Sequence, residues 1–332
     1  MSVPTGEKLR EITYREAIQE ALVEAMEANP HVFLMGEDIG KYGGAFGVTA
    51  GLLDKFGPDR VRDTPMSEAA ITGVATGASL LGMRPVIEIM FMDFITLAMD
   101  QLVNHATKFP FIFGEQSQVP LVLRTPCGGW RGYGPTHSQS LEAWFLHVPG
   151  LNVLMPSTPY DAKGLLKEAL YRDEPTLFIE HKLLYGTRGQ VPEHEYTVPF
   201  GSSIVARTGK DVTVVAYSYL LTKALAVAEE LHREGVEVEV IDPRTLAPLG
   251  IDTIVSSVKK TGRAVLVEEG TRTGGVSAEI GFQIMEHAYE YLDAPIIRVA
   301  ADDIPVPCNR SSEDEMLPKN ADIKDAIMKV LG

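Results

Sequence analysis

Residues 61–82 read VRDTPMSEAAITGVATGASLLG, and this stretch places a short strand directly before a helix. We expect the strand to end by Pro65 and the helix to begin with Ser67 and Glu68, because the helix dipole favours a carboxylate in the first turn. Glu68 is then either a helix-start residue or a functional carboxylate at the end of a strand. Its position alone is compatible with both.

The same predicted helix carries small residues at every fourth position, namely Ala69, Gly73 and Gly77. A glycine inside a helix costs roughly 0.5–1 kcal/mol relative to alanine. Two glycines on one face therefore predict the close approach of another helix.

Strand and helix patterns alternate outward from this stretch, which is typical of a parallel sheet covered by helices. We therefore expect an α/β fold. A first helix is predicted over Tyr14–Asn29, because its apolar residues recur on one helical face. The strands predicted in the first half are Val32–Met35, Val61–Thr64, Pro85–Ile89, Pro120–Arg124, Asn152–Met155 and Thr176–Ile179.

The alternation restarts after residue 200 in a more compact form. The predicted strands are Val212–Ala216, Val236–Ile241, Ala264–Val267 and Ile296–Val299, with helices near Leu221–Arg233, Ile251–Lys260 and Val276–Tyr291. A length of 332 residues suits two domains. We place them at 1–185 and 201–332, with a linker at 186–200 because Gly186–Pro199 lacks an apolar period.

Composition excludes several classes of protein. With 45% hydrophobic and 23% charged residues the chain is typical of folded globular proteins. A net charge of −15 disfavours binding to nucleic acid or anionic lipid. The only two cysteines, Cys127 and Cys308, lie far apart, which favours a reducing compartment. We expect a cytoplasmic protein, because the amino terminus has no apolar signal core and Val86–Met99 is too short to span a bilayer.

Two more residues are candidates for chemistry. Phe94 follows a predicted strand at the sheet edge where α/β proteins bind ligands, so its ring either faces a flat heterocycle or packs in the core. His137 lies in the glycine-rich loop 125–140 and is either a proton shuttle or a surface or helix-start residue. Nucleotide-binding P-loop, GxSxG and HExxH motifs are absent, and the glycines of the GGxxG patch at Gly43 favour a shaped loop.

With Glu68, Phe94 and His137 in this order, the sequence resembles the beta subunit of the thiamine-diphosphate-dependent first component of 2-oxo acid dehydrogenase complexes. The resemblance runs through the whole chain. Its blocks include GEDIG from Gly36, DTPMSE from Asp63, HSQS from His137, PYDAKGL from Pro159, IDPRTL from Ile241 and EEGTRTGG from Glu268.

The resemblance implies a role for each candidate. The residue matching Glu68 hydrogen-bonds N1′ of the cofactor's aminopyrimidine and thereby activates the thiazolium carbon, and the residue matching Phe94 stacks on the aminopyrimidine. Met66 is expected beside the cofactor. The histidine matching His137 positions substrate and assists acyl transfer to the lipoyl group.

The resemblance also implies partners. The GDG motif that holds Mg²⁺ and diphosphate in these enzymes is missing here, so an alpha subunit is expected to supply it within a heterotetramer of two alpha and two beta chains. A structural K⁺ is expected near Ala169, Leu170 and Asp173. The second half resembles the transketolase carboxy-terminal domain. Its acids are either a docking face for the acyltransferase core or a solvated surface; they are Asp302, Asp303, Glu313, Asp314 and Glu315.

The expected reaction is oxidative decarboxylation of pyruvate with reductive acetylation of lipoamide. Branched-chain 2-oxo acids and acetoin remain alternative substrates, because one methylene is worth only about 1–3 kcal/mol of discrimination. Two other classes stay open. One is a self-contained transferase of the transketolase or deoxyxylulose type, and the other is a non-catalytic subunit that stabilises its partner.

Overall fold

The computed structural model describes residues 8–114 and 116–332. Packing divides them into two compact units. The N-terminal unit contains residues 8–127 and 144–199, and the C-terminal unit contains residues 128–143 and 200–332. Among the described residues, no helix has the length and apolar character needed to cross a membrane.

The N-terminal unit alternates strands and helices. Its elements in chain order are β1 (Leu9–Thr13), α1 (Tyr14–Ala28), β2 (Val32–Gly36), α2 (Leu52–Phe56), β3 (Val61–Asp63), α3 (Glu68–Leu80), β4 (Arg84–Glu88), a 3₁₀ turn (Met92–Ala98), a π-helical turn (Gln101–Ala106), α4 (Phe109–Ile112), β5 (Val122–Cys127), α5 (Glu142–Leu146), β6 (Asn152–Leu154), α6 (Pro159–Tyr171), β7 (Thr176–His181) and β8 (Arg188–Pro192). Helix α5 begins in the C-terminal unit and ends in this one.

Within this unit six strands lie in the order β6-β7-β5-β4-β2-β3, and every neighbouring pair is parallel. Leu34 marks the register, since it faces Val61 on one side and Val86 on the other. Parallel strands need crossover connections, which place helices on the faces of the sheet. All five residues of β2 and all six of β5 and of β7 are buried as a result.

Helix α1 forms where the sequence predicts it. Thr13 and Glu16 form a capping box at its start, so two backbone N–H groups of the first turn have partners. The predicted apolar face is buried throughout, at Ala17, Ile18, Ala21, Leu22, Ala25 and Met26. Burial of this face, more than helix propensity, stabilises the helix.

The C-terminal unit repeats the architecture on a smaller scale. Its remaining elements are β9 (Ile204–Arg207), β10 (Val212–Ala216), α7 (Tyr219–Arg233), β11 (Val238–Asp242), β12 (Thr245–Ala247), α8 (Ile251–Thr261), β13 (Ala264–Thr271), α9 (Val276–Ala288), a 3₁₀ turn (Tyr289–Tyr291), β14 (Ile297–Ala301), α10 (Arg310–Met316) and α11 (Asn320–Leu331). Five of its strands lie in the order β14-β13-β10-β11-β9, with only β9 antiparallel to its neighbour.

The expected α/β fold is confirmed, and the predicted strands match the observed ones to within a few residues at their ends. Residues 186–199 of the predicted linker contain regular structure. They include β8, which pairs antiparallel with β1, and Leu9 faces Pro192 in that ladder. The pairing joins residues about 180 positions apart, so no local pattern signals it. The long terminal helix α11 is a further element that the sequence analysis does not predict.

Candidate functional site

Glu68 lies where the predicted strand and helix meet. Strand β3 ends at Asp63, the Thr64 N–H donates to the Gly36 carbonyl at 2.9 Å, and α3 begins at Glu68. Glu68 is half-buried, and the positive end of the α3 dipole stabilises a negative charge there. The residue is therefore both a helix-start residue and a carboxylate at the carboxyl edge of the sheet.

A second carboxyl, Glu37, lies near Glu68 and was missed from the sequence. Glu37 directly follows β2, which pairs in parallel with β3. The sheet therefore brings the carboxyl ends of β2 and β3 side by side. Burial and then the charges of Glu68 and Asp38 raise the pKa of Glu37. Its Oε1 atom is buried and has no hydrogen-bond partner among the described residues. The only sequence signal was the short GEDIG block.

Phe94 lies in the 3₁₀ turn after β4, and helix α3 packs against that turn. Its ring is half-buried and meets Phe91 edge to face at a centroid distance of 6.3 Å. Met66 is 86% exposed. An unpartnered carboxyl oxygen, a second carboxylate and a half-exposed aromatic ring on one sheet edge fit a flat, hydrogen-bonding heterocycle.

Behind this edge lies a buried ion cluster centred on Arg124. Its guanidinium donates to both carboxylate oxygens of Glu180, at 2.7 and 2.9 Å, and to Glu88 Oε2 at 2.8 Å. The Tyr185 hydroxyl also donates to Glu180, at 2.7 Å. Burial opposes the charge, but attraction to Glu180 and Glu88 wins and raises the pKa of Arg124. The cluster joins β4, β5 and β7 and so holds the strand ends in register.

His137 belongs to the other unit, in the loop 128–140. His137 is half-buried. Its backbone N–H donates to the Gly134 carbonyl at 3.3 Å, and its ring Nδ1 lies 3.0 Å from the Thr136 hydroxyl. Gly134, at φ +79°, faces Cys308, and a Cβ there would stand 2.7 Å from Sγ. Glycine is therefore required at this turn. Glu68 and Phe94 lie in the N-terminal unit and His137 in the C-terminal unit.

Two of the three residues predicted to hold K⁺, Leu170 and Asp173, accept hydrogen bonds from the guanidinium of Arg84. Arg84 Nε donates to the Leu170 carbonyl at 3.1 Å, and Nη1 donates to Asp173 Oδ1 at 2.8 Å. Arg84 Nη2 also donates to the Arg172 carbonyl, while the Ala169 carbonyl accepts from the Arg172 N–H. A side-chain cation thus stands at the end of α6, and this oxygen set does not fit a metal ion as arranged.

The two glycines on the small-residue face of α3 have different surroundings. A Cβ on Gly73 would lie 3.5 Å from Gln101 Cγ in the π-helical turn, an ordinary van der Waals distance that leaves room for alanine. Gly77 has open space around it. The exposed side of α3 nearby is apolar, with Val74 60% and Leu81 86% exposed. No contact among the described residues therefore requires glycine at Gly73 or Gly77, and the close approach of another helix stays a prediction.

The five candidate docking acids do not form one surface. Asp302, Asp303 and Glu315 are exposed, and Asp314 is half-buried. Glu313 is fully buried, and its Oε2 accepts from the Gly132 N–H at 2.8 Å. Glu313 is therefore a structural residue of the His137 loop, and its inclusion among the surface acids is wrong.

Comparison with known proteins also divides the chain into two parts, but it includes the His137 loop in the first of them. The family described as "Transketolase, pyrimidine binding domain" matches residues 10–188, and "Transketolase, C-terminal domain" matches residues 201–323. A solved structure titled "Split gene transketolase, inactive beta4 tetramer" superposes with a TM-score of 0.79, covering 96% of this chain and 98% of that one. Its sequence is 24% identical, so this likeness concerns the fold alone.

Relatives of known name extend over nearly the whole chain. A pyruvate dehydrogenase E1 component subunit beta from Rhizobium meliloti is 43% identical over 330 residues, covering 99% of this chain and 72% of the relative. A 2-oxoisovalerate dehydrogenase subunit beta from Bacillus subtilis is 43% identical over 321 residues, covering 96% and 98%. An acetoin:2,6-dichlorophenolindophenol oxidoreductase subunit beta from Cupriavidus necator is 42% identical over 332 residues, covering 97% and 98%.

Fold and site therefore define a transketolase-type chain with a pyrimidine-binding domain followed by a transketolase C-terminal domain. Identity above 40% over nearly the full length narrows the class. The chain belongs to the family of beta subunits of the E1 component of 2-oxo acid dehydrogenases.

Proposed function

We propose that this chain works with an alpha subunit in the thiamine-diphosphate-dependent oxidative decarboxylation of pyruvate and the reductive acetylation of lipoamide. The observation that carries the proposal is the half-buried Glu68 at the start of α3, next to the unpartnered carboxyl oxygen of Glu37. We keep the domain boundaries 1–185, 186–200 and 201–332 and a cytoplasmic location as parts of the proposal.

Thiamine diphosphate, when bound, supplies the carbon nucleophile and the electron sink that decarboxylation requires. Glu68 would hold the aminopyrimidine at N1′, because a carboxylate there favours the form in which this ring nitrogen is protonated. Burial and then the charges of Glu68 and Asp38 raise the pKa of Glu37, so Glu37 holds a proton more readily than an ordinary glutamate. Phe94 offers a ring face to the heterocycle, and Met66 borders it.

His137 acts at the other end of the reaction in this proposal. A neutral imidazole accepts a proton and an imidazolium donates one, which suits both substrate positioning and acyl transfer to a lipoyl thiol. The Thr136 hydroxyl, 3.0 Å from Nδ1, helps to hold the imidazole ring in one orientation.

The proposal needs an alpha subunit for a chemical reason. Mg²⁺ with a diphosphate requires carboxylate and carbonyl ligands, and the chain has no GDG motif to provide them. The exposed apolar side of α3, with Val74 and Leu81, supports a protein partner next to Glu68. We infer a tetramer of two alpha and two beta chains. K⁺ is left out of the proposal, because Arg84 supplies the cation at α6.

The acyltransferase core is the second proposed partner. Three exposed acids, Asp302, Asp303 and Glu315, are close in sequence to the ends of β14 and α10 and suit a basic docking domain. Such an interface weakens as salt rises. Capture of the acyltransferase that does not change between low and high salt would argue for a solvated acidic face instead.

The experiment is co-expression with an alpha subunit and an assay of pyruvate, 2-oxoisovalerate and acetoin. Glu68→Gln is expected to lower decarboxylation at least 100-fold, because an amide oxygen cannot set the ring's protonation as a carboxylate does. Glu27→Gln makes the same chemical change at an exposed position and is expected to keep full activity. Full activity in Glu68→Gln would favour the non-catalytic, stabilising subunit.

Two relatives support acetoin and a branched-chain 2-oxo acid as the alternative substrates. The beta subunits named for 2-oxoisovalerate and for acetoin are about as similar to this chain as the one named for pyruvate. If either compound is turned over faster than pyruvate, the family and the roles of Glu68 and His137 stand and the substrate changes. Activity without the alpha subunit would instead indicate a self-contained transferase.

A further inference from the structure

The loop that carries His137 is anchored within the C-terminal unit at three points. Its backbone is unusual, because Gly128, Gly132 and Gly134 have positive φ and so does the non-glycine residue Trp130, at +61°. A left-handed non-glycine residue costs energy and persists only when its surroundings hold it. The contacts that hold the loop therefore matter for the position of His137.

One carboxylate oxygen joins the two ends of this loop. Glu269 Oε1 accepts from the Gly129 N–H at 2.6 Å and from the Ser140 hydroxyl at 3.2 Å. Glu269 lies near the carboxyl end of β13, inside the sheet of the unit, and is only 6% exposed. Hydrogen bonds to a buried charged acceptor are among the stronger ones in proteins. Gly129 and Ser140, eleven positions apart, thus both donate to the same oxygen atom of a buried side chain.

Two further contacts support the same segment. The buried Glu313 accepts from the Gly132 N–H, and Trp130 packs between Tyr219, at 5.1 Å between ring centroids, and Lys223, whose Nζ lies 4.1 Å from the ring. A Cβ on residue 129 would approach Glu313 Oε1 to 3.0 Å and Leu317 to 2.6 Å, so a larger residue there would displace these side chains. These contacts hold the first half of the loop only. Glu269 alone among the three also holds the far end, beyond His137.

We infer that Glu269 is a positioning residue for His137: by fastening both ends of the loop 128–140 it fixes where the imidazole stands during acyl transfer. The expected effect on acyl transfer rests on the proposed function. The anchoring of the loop by Glu269 does not depend on it.

The test compares Glu269→Ala with Glu269→Gln in the complete complex with the alpha subunit. The glutamine oxygen still accepts from Gly129 and Ser140, whereas alanine removes both bonds. Hydrogen exchange of the backbone amides in 128–140 should accelerate at least tenfold in Glu269→Ala and stay near wild type in Glu269→Gln. Glu286→Ala, an exposed change in the same unit, is the control and should leave the loop unchanged.

Kinetics provide the second readout. Because a misplacement of about 1 Å can cost up to 100-fold in rate, Glu269→Ala should lower kcat for acylation of the lipoyl group 10- to 100-fold with KM for the 2-oxo acid within about twofold. His137→Ala, measured alongside, should lower the same parameter. If Glu269→Ala does not fold, Ser140→Ala removes one of the two bonds and should produce a smaller effect of the same kind.

Two results would overturn the inference. One is unchanged exchange of 128–140 in Glu269→Ala, and the other is an equal loss in Glu269→Gln, which would show that only the charge matters. Failure of the proposed function looks different: the wild-type complex would then act on none of the three substrates, while hydrogen exchange would still decide whether Glu269 fastens the loop.

Discussion

Each unit of the molecule contains a cluster of buried glutamates, and the two clusters solve the same electrostatic problem differently. In the N-terminal unit, Glu88 and Glu180 share the guanidinium of Arg124. In the C-terminal unit, Glu142 lies near Glu268 and Glu269, and the Tyr217 hydroxyl donates to its Oε1 at 3.0 Å. The first cluster is organised by a cation, and the second by protons and hydroxyl or backbone donors.

The difference shows that the neighbours of a buried carboxyl determine whether it is protonated or ionised. Burial raises the pKa of Glu142 to about 7, and the charges of Glu268 and Glu269 contribute to the rise. Its Oε2 atom has no hydrogen-bond partner among the described residues. Glu142 is therefore mostly neutral well below pH 7. In the other cluster burial raises the pKa of Glu180, while the charge of Arg124 opposes that rise. The Arg124 cluster thus has a cation that favours ionised carboxylates, and the Glu142 cluster has none among the contacts described here.

The largest expected effect comes from removing the cation. Arg124→Met leaves two carboxyls buried without their guanidinium, so the free energy of unfolding at pH 7 should fall by about 3–5 kcal/mol. Urea unfolding followed by circular dichroism measures it. Arg172→Met, which breaks two partly exposed ion pairs in the same unit, should cost less than about 1 kcal/mol. Equal losses in both variants would mean that the buried cluster adds no special stability.

A smaller effect is expected from the proton on Glu142. Its folded-state pKa of about 7 exceeds the ordinary value of 4.5, so its contribution to stability is complete below pH 4.5 and is lost as pH rises through 7. The loss amounts to roughly 3 kcal/mol in the difference between the wild type and Glu142→Gln, which cannot ionise.

Urea unfolding of both proteins at pH 4.5, 6, 7 and 8 tests this expectation. Glu286→Gln, an exposed substitution, should follow the wild-type curve. A difference between wild type and Glu142→Gln that stays constant over this range would show that Glu142 is ionised throughout.

The smallest expected effect concerns the phenol next to Glu142. Tyr217→Phe removes one hydrogen bond, worth about 0.5–1.5 kcal/mol. Because that bond favours the ionised carboxylate, its loss should raise the pKa of Glu142 further and move the pH-dependent decline in stability to higher pH. The same urea series measures the shift, and a move to lower pH would contradict the role of Tyr217.

The elements of the fold were predictable where their cause is local. The apolar face of α1 and the continuous apolar strand β2 are visible in a window of a few residues, and both form as expected. The pairing of β1 with β8 was not, because its partners lie about 180 positions apart. Only the packed unit brings them together.

Site residues were likewise predictable where the signal is local and were missed where it depends on residues far apart in the chain. Glu68 and Phe94 could be chosen from a strand end, a helix start and a family resemblance. Glu37, Arg124 and Glu269 were missed, since their significance depends on partners that are distant in the chain: 56 positions for Arg124 and Glu180, and 140 for Gly129 and Glu269. Glu313 was misassigned for the opposite reason, because a charge run does not reveal which of its members is buried.

By itself, then, the sequence determined the α/β class, the order of its elements and the residue types that a thiamine-dependent beta subunit needs, because periodicity and motifs are local properties. The tertiary structure decided which carboxyls meet a cation, which keep a proton, and which unit holds the loop of His137. Those outcomes depend on burial and on pairing across the sheets, where a few ångströms separate residues that are far apart in the chain.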